Sequence, residues 1–201
     1  MAAAAGPGAP LARSAGLDPA RFADTHALLG LHLWLALVRL RAEGGAGKAI
    51  SQALYENFSD DVEARVRAAG VRVRVGKWLS ELERMFYGAA TAYDRAVGAI
   101  PVGEGGGGGG DTAATPSPLP GGAPNAQAAL TAALLRNAYG GDEARAGHAG
   151  ALARYALREL ACLSLTPSEA VVAGRVRFSW AGVAGGGEEE EAAAVVPKAA
   201  A

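Results

Sequence analysis

Apolar residues recur at helical spacing after Asp18-Pro19, where an acidic N-cap residue precedes a proline at the first helical position. Two adjacent apolar stripes follow, one made of Leu28, Leu31, Leu35 and Val38 and the other of Leu29, Leu33, Leu37 and Leu40. Together the stripes cover most of the circumference of a helix, and a helix that is apolar on most sides is buried on most sides. We therefore predict a first helix in the middle of a bundle, ended by Glu43-Gly44-Gly45.

Two further amphipathic helices are predicted in the first half of the chain. The second helix carries apolar residues four positions apart, at Ile50, Leu54, Phe58, Val62 and Val66. The apolar face of the third helix consists of Trp78, Leu79, Leu82, Phe86, Ala89, Tyr93 and Val97. Between the two helices, residues 71–75 (VRVRV) alternate like a β-strand. Five residues without a strand partner more often form an extended connection than a sheet, so we predict a connection there.

Residues 98–124 divide the chain, because they contain five prolines and ten glycines and have little to bury. Such a composition predicts a flexible insertion. After it, residues 125–139 and 143–163 predict two more helices. Residues 166–169 (TPSE) predict a capping box that opens a short last helix. Residues 175–180 (RVRFSW) predict an extended arm across the bundle.

These patterns predict an all-α fold, a single helical bundle of about five to six helices over residues 18–180, with the Gly/Pro-rich insertion at 98–124 between helices three and four. Residues 1–17 are alanine-rich and contain one arginine, so we predict a disordered lead without a convincing transit peptide. Residues 181–201 predict a disordered acidic tail. The longest apolar run, residues 27–38, would rise about 18 Å as a helix, against about 30 Å of hydrocarbon core, so no transmembrane helix is expected.

The composition narrows the classes of function. Lys and Arg number 19 against 20 Asp and Glu, and a formal charge of −1 argues against a global basic field for non-specific nucleic-acid binding. The single cysteine, Cys162, excludes an internal disulfide framework, and its Ala- and Leu-rich helix predicts a buried, unreactive thiol. His26 and His32 fall on roughly opposite faces of the first helix and cannot share a metal ion. We predict no metal site and no cofactor.

An enzymatic alternative rests on residues 59–63 (SDDVE), where Asp60 and Asp61 resemble the acidic clusters that hold Mg²⁺ and diphosphate in all-helical isoprenoid enzymes. Such a site needs two acids one helical turn apart and a second cluster on a facing helix, and the sequence has neither. Residues 45–51 (GAGKAIS) lack the Ser or Thr that follows the lysine of a phosphate loop, so they predict a helix-to-helix turn. We predict that the chain is not an enzyme. A generic helical adaptor for protein interactions is the other alternative.

Two groups of residues are candidates for binding partners. Five basic residues fall within thirteen positions that contain no acid, and they are Arg65, Arg67, Arg72, Arg74 and Lys77. Arginine suits phosphate or acidic protein surfaces, so this basic segment predicts a docking patch for RNA or an acidic partner, with ordinary solubilising charge as the alternative. Tyr55 and Tyr87 lie at the edges of the apolar stripes and are candidates for lining a groove that binds a client helix. The other aromatic residues of these two helices, predicted to be core, are Phe58, Trp78, Phe86 and Tyr93.

Three segments are distinctive when they are taken in order. They are residues 32–44 (HLWLALVRLRAEG), 52–71 (QALYENFSDDVEARVRAAGV) and 75–97 (VGKWLSELERMFYGAATAYDRAV). Together they resemble the ubiquinol–cytochrome c chaperone family. The features that carry the resemblance are the Trp and the Arg-Leu-Arg end of helix one, Phe-x-Asp-Asp on helix two, and Phe-Tyr-Gly with Ala-Tyr-Asp on helix three. The resemblance covers residues 28–98 well. It covers residues 126–180 loosely.

The resemblance implies an all-helical assembly factor of respiratory complex III. Such a factor acts as a chaperone for newly made cytochrome b, on the matrix side of the mitochondrial inner membrane and peripheral to it. The resemblance further implies a small assembly-factor partner and docking near the exit of the mitochondrial ribosome. The five basic residues would then contact the ribosome, the small partner or anionic lipid, and Tyr55 and Tyr87 would contact the client.

Overall fold

The computed structural model describes residues 9–98 and 125–179, and within these ranges the regular secondary structure is entirely helical. The α-helices are α1 (Ala9–Ser14), α2 (Phe22–Leu40), α3 (Gly44–Ala68), α4 (Val75–Ala96), α5 (Ala126–Ala138), α6 (Ala146–Leu165) and α7 (Ser168–Val172). Single 3₁₀ turns, Arg41–Glu43 and Glu143–Arg145, lead into α3 and α6. The predicted all-α bundle of five to six helices is confirmed. The predicted tail and all but the first residue of the predicted insertion lie outside the described residues.

Helix α2 lies at the centre of the bundle, as its two apolar stripes predicted. It packs against α3, α4, α5 and α6. The side chains of Trp34 and Leu35 are fully buried, and Leu31 is 1% exposed. Because α2 is covered on most sides, it supplies the surface on which the other helices are arranged.

The start of α2 differs from the prediction, because the helix begins at Phe22 and not at Asp18-Pro19. The carboxylate of Asp18 accepts from the N–H of Ala20 at 2.8 Å, and the N–H of Asp18 donates to the carboxylate of Asp24 at 2.8 Å. These bonds hold the chain in a turn ahead of the helix. The sequence signal was a turn signal, since Asp followed by Pro also initiates turns.

The segment before α2 joins the core, which corrects the predicted disordered lead for residues 9–17, the part of it that the structure describes. Leu11 and Leu17 are 6% and 2% exposed, and both belong to the same buried cluster as α2. The hydroxyl of Tyr139 donates to a backbone carbonyl of this segment at 2.7 Å. The alanine-rich composition gave no sign of these contacts. A few leucines supply most of the large buried side chains of the segment, and the small alanines allow its backbone to lie close to the other helices. Residues 1–8 lie outside the described part of the chain.

The turn between α2 and α3 is tighter than predicted. Gly44 adopts a φ of 58° and a ψ of −133°, a conformation open mainly to glycine, and α3 begins at this residue. Residues 45–51, predicted to be a turn, therefore form the first two turns of α3. Gly47 is buried there, and a Cβ at this position would collide with the backbone carbonyl of Leu40.

Helices α5 and α6 pack closely through small side chains. The buried alanines include Ala133, Ala149, Ala153 and Ala156, and the large side chains buried beside them include Leu130, Leu134, Leu152 and Tyr155. Alanines let two helix backbones approach, while the leucines and the tyrosine fill the remaining space. Much of the alanine content is thus part of the core.

The end of α6 corrects two predictions. The thiol of Cys162 is exposed, not buried, because it lies on the outer side of α6. The predicted capping box does not form, since the hydroxyl of Thr166 donates back to the carbonyl of Cys162 at 2.9 Å. Thr166 directly follows the last turn of α6, where a threonine hydroxyl reaches the carbonyl four residues earlier. The hydroxyl of Ser168, which begins α7, donates to Glu43 at 3.0 Å.

Residues 175–179 cross the bundle as an extended arm, as predicted. Val176 and Phe178 pack against the core, and the Phe178 ring meets His32 edge-on at a centroid distance of 4.9 Å. The hydroxyl of Ser179 donates to Glu159, a buried acid, at 2.7 Å. Trp180, the last residue of the predicted arm, lies outside the described residues.

Candidate functional site

An open groove of about 740 Å³ runs along the bundle between α2, the end of α3, α4 and the end of α5. Its apolar lining includes Phe22, Leu31, Val66, Leu82, Met85 and Phe86. Concave, mostly apolar surfaces of this size are typical of binding sites. We therefore take the groove as the candidate functional site.

The first half of α4 forms the exposed wall of the groove. No side chain between Val75 and Met85 is buried, whereas Tyr93 in the second half of the helix is 3% exposed. Trp78 was predicted to be core, and the structure corrects this, because Trp78 is 55% exposed. The apolar face of α4 is longer than the bundle that covers it, so its first turns line the groove instead of the core.

The floor of the groove includes two aromatic rings of α2. His26 stacks on Phe22 with a centroid distance of 5.8 Å, and its ring centroid lies 5.8 Å from that of Phe58 on α3, which is outside the groove lining. Gly30 leaves room for the ring of Phe86, whose Cδ2 lies 3.4 Å from where a glycine-replacing Cβ would stand. A larger residue at position 30 would make this part of the groove shallower.

One end of the groove is charged. Arg21, Asp24, Asp142 and Arg145 line it there. Asp24 is 5% exposed and lies 3.8 Å from the guanidinium of Arg21. The groove therefore offers a long apolar wall and a polar end, an arrangement that suits an apolar segment with a polar terminus.

The two candidate tyrosines lie together, outside the groove lining. The rings of Tyr55 and Tyr87 are stacked at 5.8 Å, and the hydroxyl of Tyr55 donates to Glu83 at 2.8 Å. Burial and this bond raise the pKa of Tyr55. Tyr87 is 52% exposed, two positions beyond Met85 and so on a different side of α4. Their role in client binding remains a prediction.

The basic segment divides into two parts. Arg65 pairs with Asp61 at 2.5 Å and Arg67 with Glu63 at 2.6 Å, each one helical turn away on α3. The other three cations are exposed, and no ion pair of theirs is found among residues 9–98 and 125–179; they are Arg72, Arg74 and Lys77. Within the basic segment, these three are therefore available to an external partner without first breaking an ion pair among the described residues.

A buried polar cluster that sequence analysis missed ties α2 to α4. The indole N–H of Trp34 donates to Asp94 at 2.8 Å, and the guanidinium of Arg41 donates to both carboxylate oxygens of Asp94 at 3.0 and 2.9 Å. Asp94 is 5% exposed. The segments that carry the family resemblance contain all three residues. Their distance in sequence gave no sign that they meet.

His32 bridges α2 and α6 as a neutral imidazole. Its Nδ1–H donates to the carbonyl of Leu28 at 2.7 Å, because a carbonyl can only accept. Its Nε2 then accepts from the hydroxyl of Tyr155 at 2.7 Å. Burial lowers the pKa of His32, and the Leu28 carbonyl and Glu159 partly offset this effect. Burial lowers the pKa of His26 as well.

The two lowered pKa values predict a pH-dependent stability. Below the ordinary pKa of 6.5, the unfolded chain binds protons that folded His26 and His32 resist, so the free energy of unfolding falls as the pH drops towards their lowered folded pKa values. Above 6.5 this contribution is fully present. Urea denaturation on both sides of pH 6.5 measures the slope, and His32→Gln should flatten it. An unchanged slope in His26→Gln and in His32→Gln would contradict the assignment.

The described residues contain no group of three or more His, Cys, Asp or Glu side chains that could hold a metal ion. Asp61, one of the two acids of the enzymatic alternative, is engaged by Arg65. None of the helices in residues 9–98 and 125–179 combines the length and hydropathy that crossing a membrane requires.

Comparison with known families decides the class of this chain. The sequence model of the ubiquinol–cytochrome c chaperone family matches residues 18–104 and 120–178, which is well over half of the chain. The chain belongs to this family. The resemblance of the three sequence segments is thereby confirmed. Membership of a chaperone family also confirms that the chain is not an enzyme and removes the isoprenoid-enzyme alternative.

Two curated members resemble a shorter part of the chain. The ubiquinol-cytochrome-c reductase complex assembly factor 1 of Xenopus laevis is 32% identical over 68 residues, which are 33% of this chain and 34% of the relative. The corresponding factor of Mus musculus is 34% identical over 68 residues, 33% of this chain and 23% of the relative. The match therefore spans about a third and a quarter of these two relatives.

A solved structure extends the likeness to most of the bundle. The crystal structure of the Cbp3 homolog from Brucella abortus is 32% identical to this chain, with a TM-score of 0.57. The likeness covers 75% of this chain and 70% of that one. Most of this chain thus shares its fold with the Cbp3 homolog.

Proposed function

We propose that this family member is an assembly factor for respiratory complex III that shields newly made cytochrome b by binding an apolar segment of it in the groove. The observation that carries the proposal is the wall of α4, where Trp78 and Met85 line an apolar groove although each is more than half exposed. Contiguous exposed apolar side chains mark binding sites. The names of the relatives, assembly factors of ubiquinol–cytochrome c reductase, support the class of client.

The spacing along α4 suits a helical client. Trp78, Leu82 and Met85 stand three and four residues apart, so they form one ridge on the wall. An amphipathic or apolar helix presents ridges of the same spacing and lays them into such a groove. Methionine adapts its shape to different side chains, which suits a client bound before its own partners cover it.

The further partners of the proposal follow from the family. A small assembly-factor protein and the mitochondrial ribosome are proposed as partners, with the chain on the matrix side of the inner membrane. The basic segment supplies the charge for an anionic contact, chiefly through the three cations that lack an ion pair within the described ranges. Tyr55 and Tyr87, stacked outside the groove lining, are the alternative to the groove as the client surface.

Site-specific photocrosslinking in cells that assemble complex III tests the proposal. A photoreactive residue placed at Met85 is expected to capture cytochrome b, whereas the same residue at Tyr87 is expected not to, because Tyr87 is outside the groove. The two positions are matched in exposure, at 54% and 52%. Capture from position 87 alone would move the client to the tyrosine pair. Capture from neither position would overturn the assembly-factor proposal.

A further inference from the structure

The connection between α3 and α4, together with the first turn of α4, forms an exposed tip made of residues 71–78, which we call the basic tip. Arg74 adopts a left-handed conformation with a φ of 56° just before α4 begins. This reverses the chain within a few residues. Residues 72–74 and 76–78 of the tip are exposed, whereas Val71 and Val75 are half-buried.

Two apolar side chains of the basic tip are exposed to solvent. Val73 is 75% exposed and Trp78 is 55% exposed. Trp78 has an apolar ring and an indole N–H, and side chains of this kind favour the boundary between lipid headgroups and acyl chains. The side chain of Val73 has no flat face for stacking on a base and no polar group, so it would gain neither stacking nor hydrogen bonds from an RNA surface.

All the charged residues of the basic tip are positively charged. Residues 64–80 contain no acid. Arg72, Arg74 and Lys77 are exposed, and within the described ranges no acid pairs with them, in contrast to Arg65 and Arg67. Long basic side chains beside exposed apolar ones are the composition by which proteins rest on anionic membranes.

We propose that the basic tip binds the surface of an anionic membrane. Arg72, Arg74 and Lys77 contact lipid phosphates, and Val73 and Trp78 enter the boundary below the headgroups. Val71 and Trp78 also line the groove, so its mouth opens where the tip meets the lipid. An apolar segment leaving the bilayer would then reach the groove without crossing water. The membrane contact itself does not depend on which client the groove takes.

Vesicle flotation of the full chain tests the contact. The chain is expected to float with vesicles of phosphatidylcholine mixed with phosphatidylglycerol, to dissociate as salt is raised, and to bind pure phosphatidylcholine weakly. At about fivefold in affinity per cation, the triple variant Arg72→Gln, Arg74→Gln, Lys77→Gln should bind roughly a hundredfold more weakly. The control triple Arg95→Gln, Arg136→Gln, Arg154→Gln removes the same charge from exposed positions elsewhere and should bind like the unaltered chain.

A second measurement locates the inserted side chain. Vesicles with brominated acyl chains are expected to quench the fluorescence of Trp78, so Trp78→Phe should abolish the quenching and Trp180→Phe should preserve it. Equal losses of binding in the two triple variants, or equal binding to both kinds of vesicle, would overturn the proposal. Binding of single-stranded RNA without any vesicle binding would overturn it too, and would assign the basic tip to nucleic acid.

Discussion

Replacing Met85 by glutamate is expected to reduce cytochrome b recovery with this protein at least about a hundredfold, because a bound apolar segment would force the new carboxylate out of water without a partner. Met85 is 54% exposed in the groove wall, so the free protein can keep the charge hydrated. The folded state should therefore change little in stability. Affinity purification of the tagged variant, with the client quantified by mass spectrometry, measures the loss.

The control for this variant is Tyr87→Glu. Tyr87 is 52% exposed on the same helix and outside the groove lining, so the substitution adds the same charge at a matched position. Client recovery should stay near that of the unaltered chain. If Tyr87→Glu removes the client and Met85→Glu does not, the groove is not the client site, and the surface of Tyr55 and Tyr87 takes its place.

Replacing Asp94 by alanine is expected to lower the free energy of unfolding by about 3 kcal/mol. The largest part of the loss comes from the indole N–H of Trp34, which is buried and would have no acceptor. Arg41 contributes less, because its side chain is 49% exposed and water can replace the carboxylate. Urea denaturation at constant pH measures the loss.

Two further variants make the Asp94 prediction specific. Asp94→Asn keeps one acceptor oxygen for Trp34 and should lose clearly less stability than Asp94→Ala. Asp61→Ala removes an exposed ion pair with Arg65 and should cost at most about 0.5 kcal/mol. Equal losses in Asp94→Ala and Asp61→Ala would contradict a supporting role for the buried cluster.

The long helices were predictable because each carries its own pattern. Helix α2 could be placed at the bundle centre because its two apolar stripes leave only a narrow polar face. Helix α4 could be predicted because its apolar residues recur at regular helical spacing. The connection after α3 was predicted as well, since five alternating residues without a partner cannot make a sheet. The predictions that failed rested on local sequence patterns that fit more than one structure. Asp18-Pro19 and residues 166–169 match helix starts, but other local hydrogen bonds gave them different roles.

The candidate site was predictable only in kind. An apolar groove for a client was expected from edge aromatics, and Tyr55 and Tyr87 were named for it, yet the groove is lined by Trp78 and Met85. Periodicity identifies the apolar face of α4 but does not say how much of that face another helix covers. For the same reason Cys162, on a helix of small apolar residues, was predicted buried and is exposed.

The sequence by itself determined the helices, the basic segment without acids and the family, because each depends on residues that are near one another in the chain or on a pattern in a fixed order. Only the tertiary structure decided where the first half of α4 stays uncovered and that Trp34, Arg41 and Asp94 meet. These facts depend on which helices lie beside each other. The spacing of apolar residues along one helix does not show where the neighbouring helix ends.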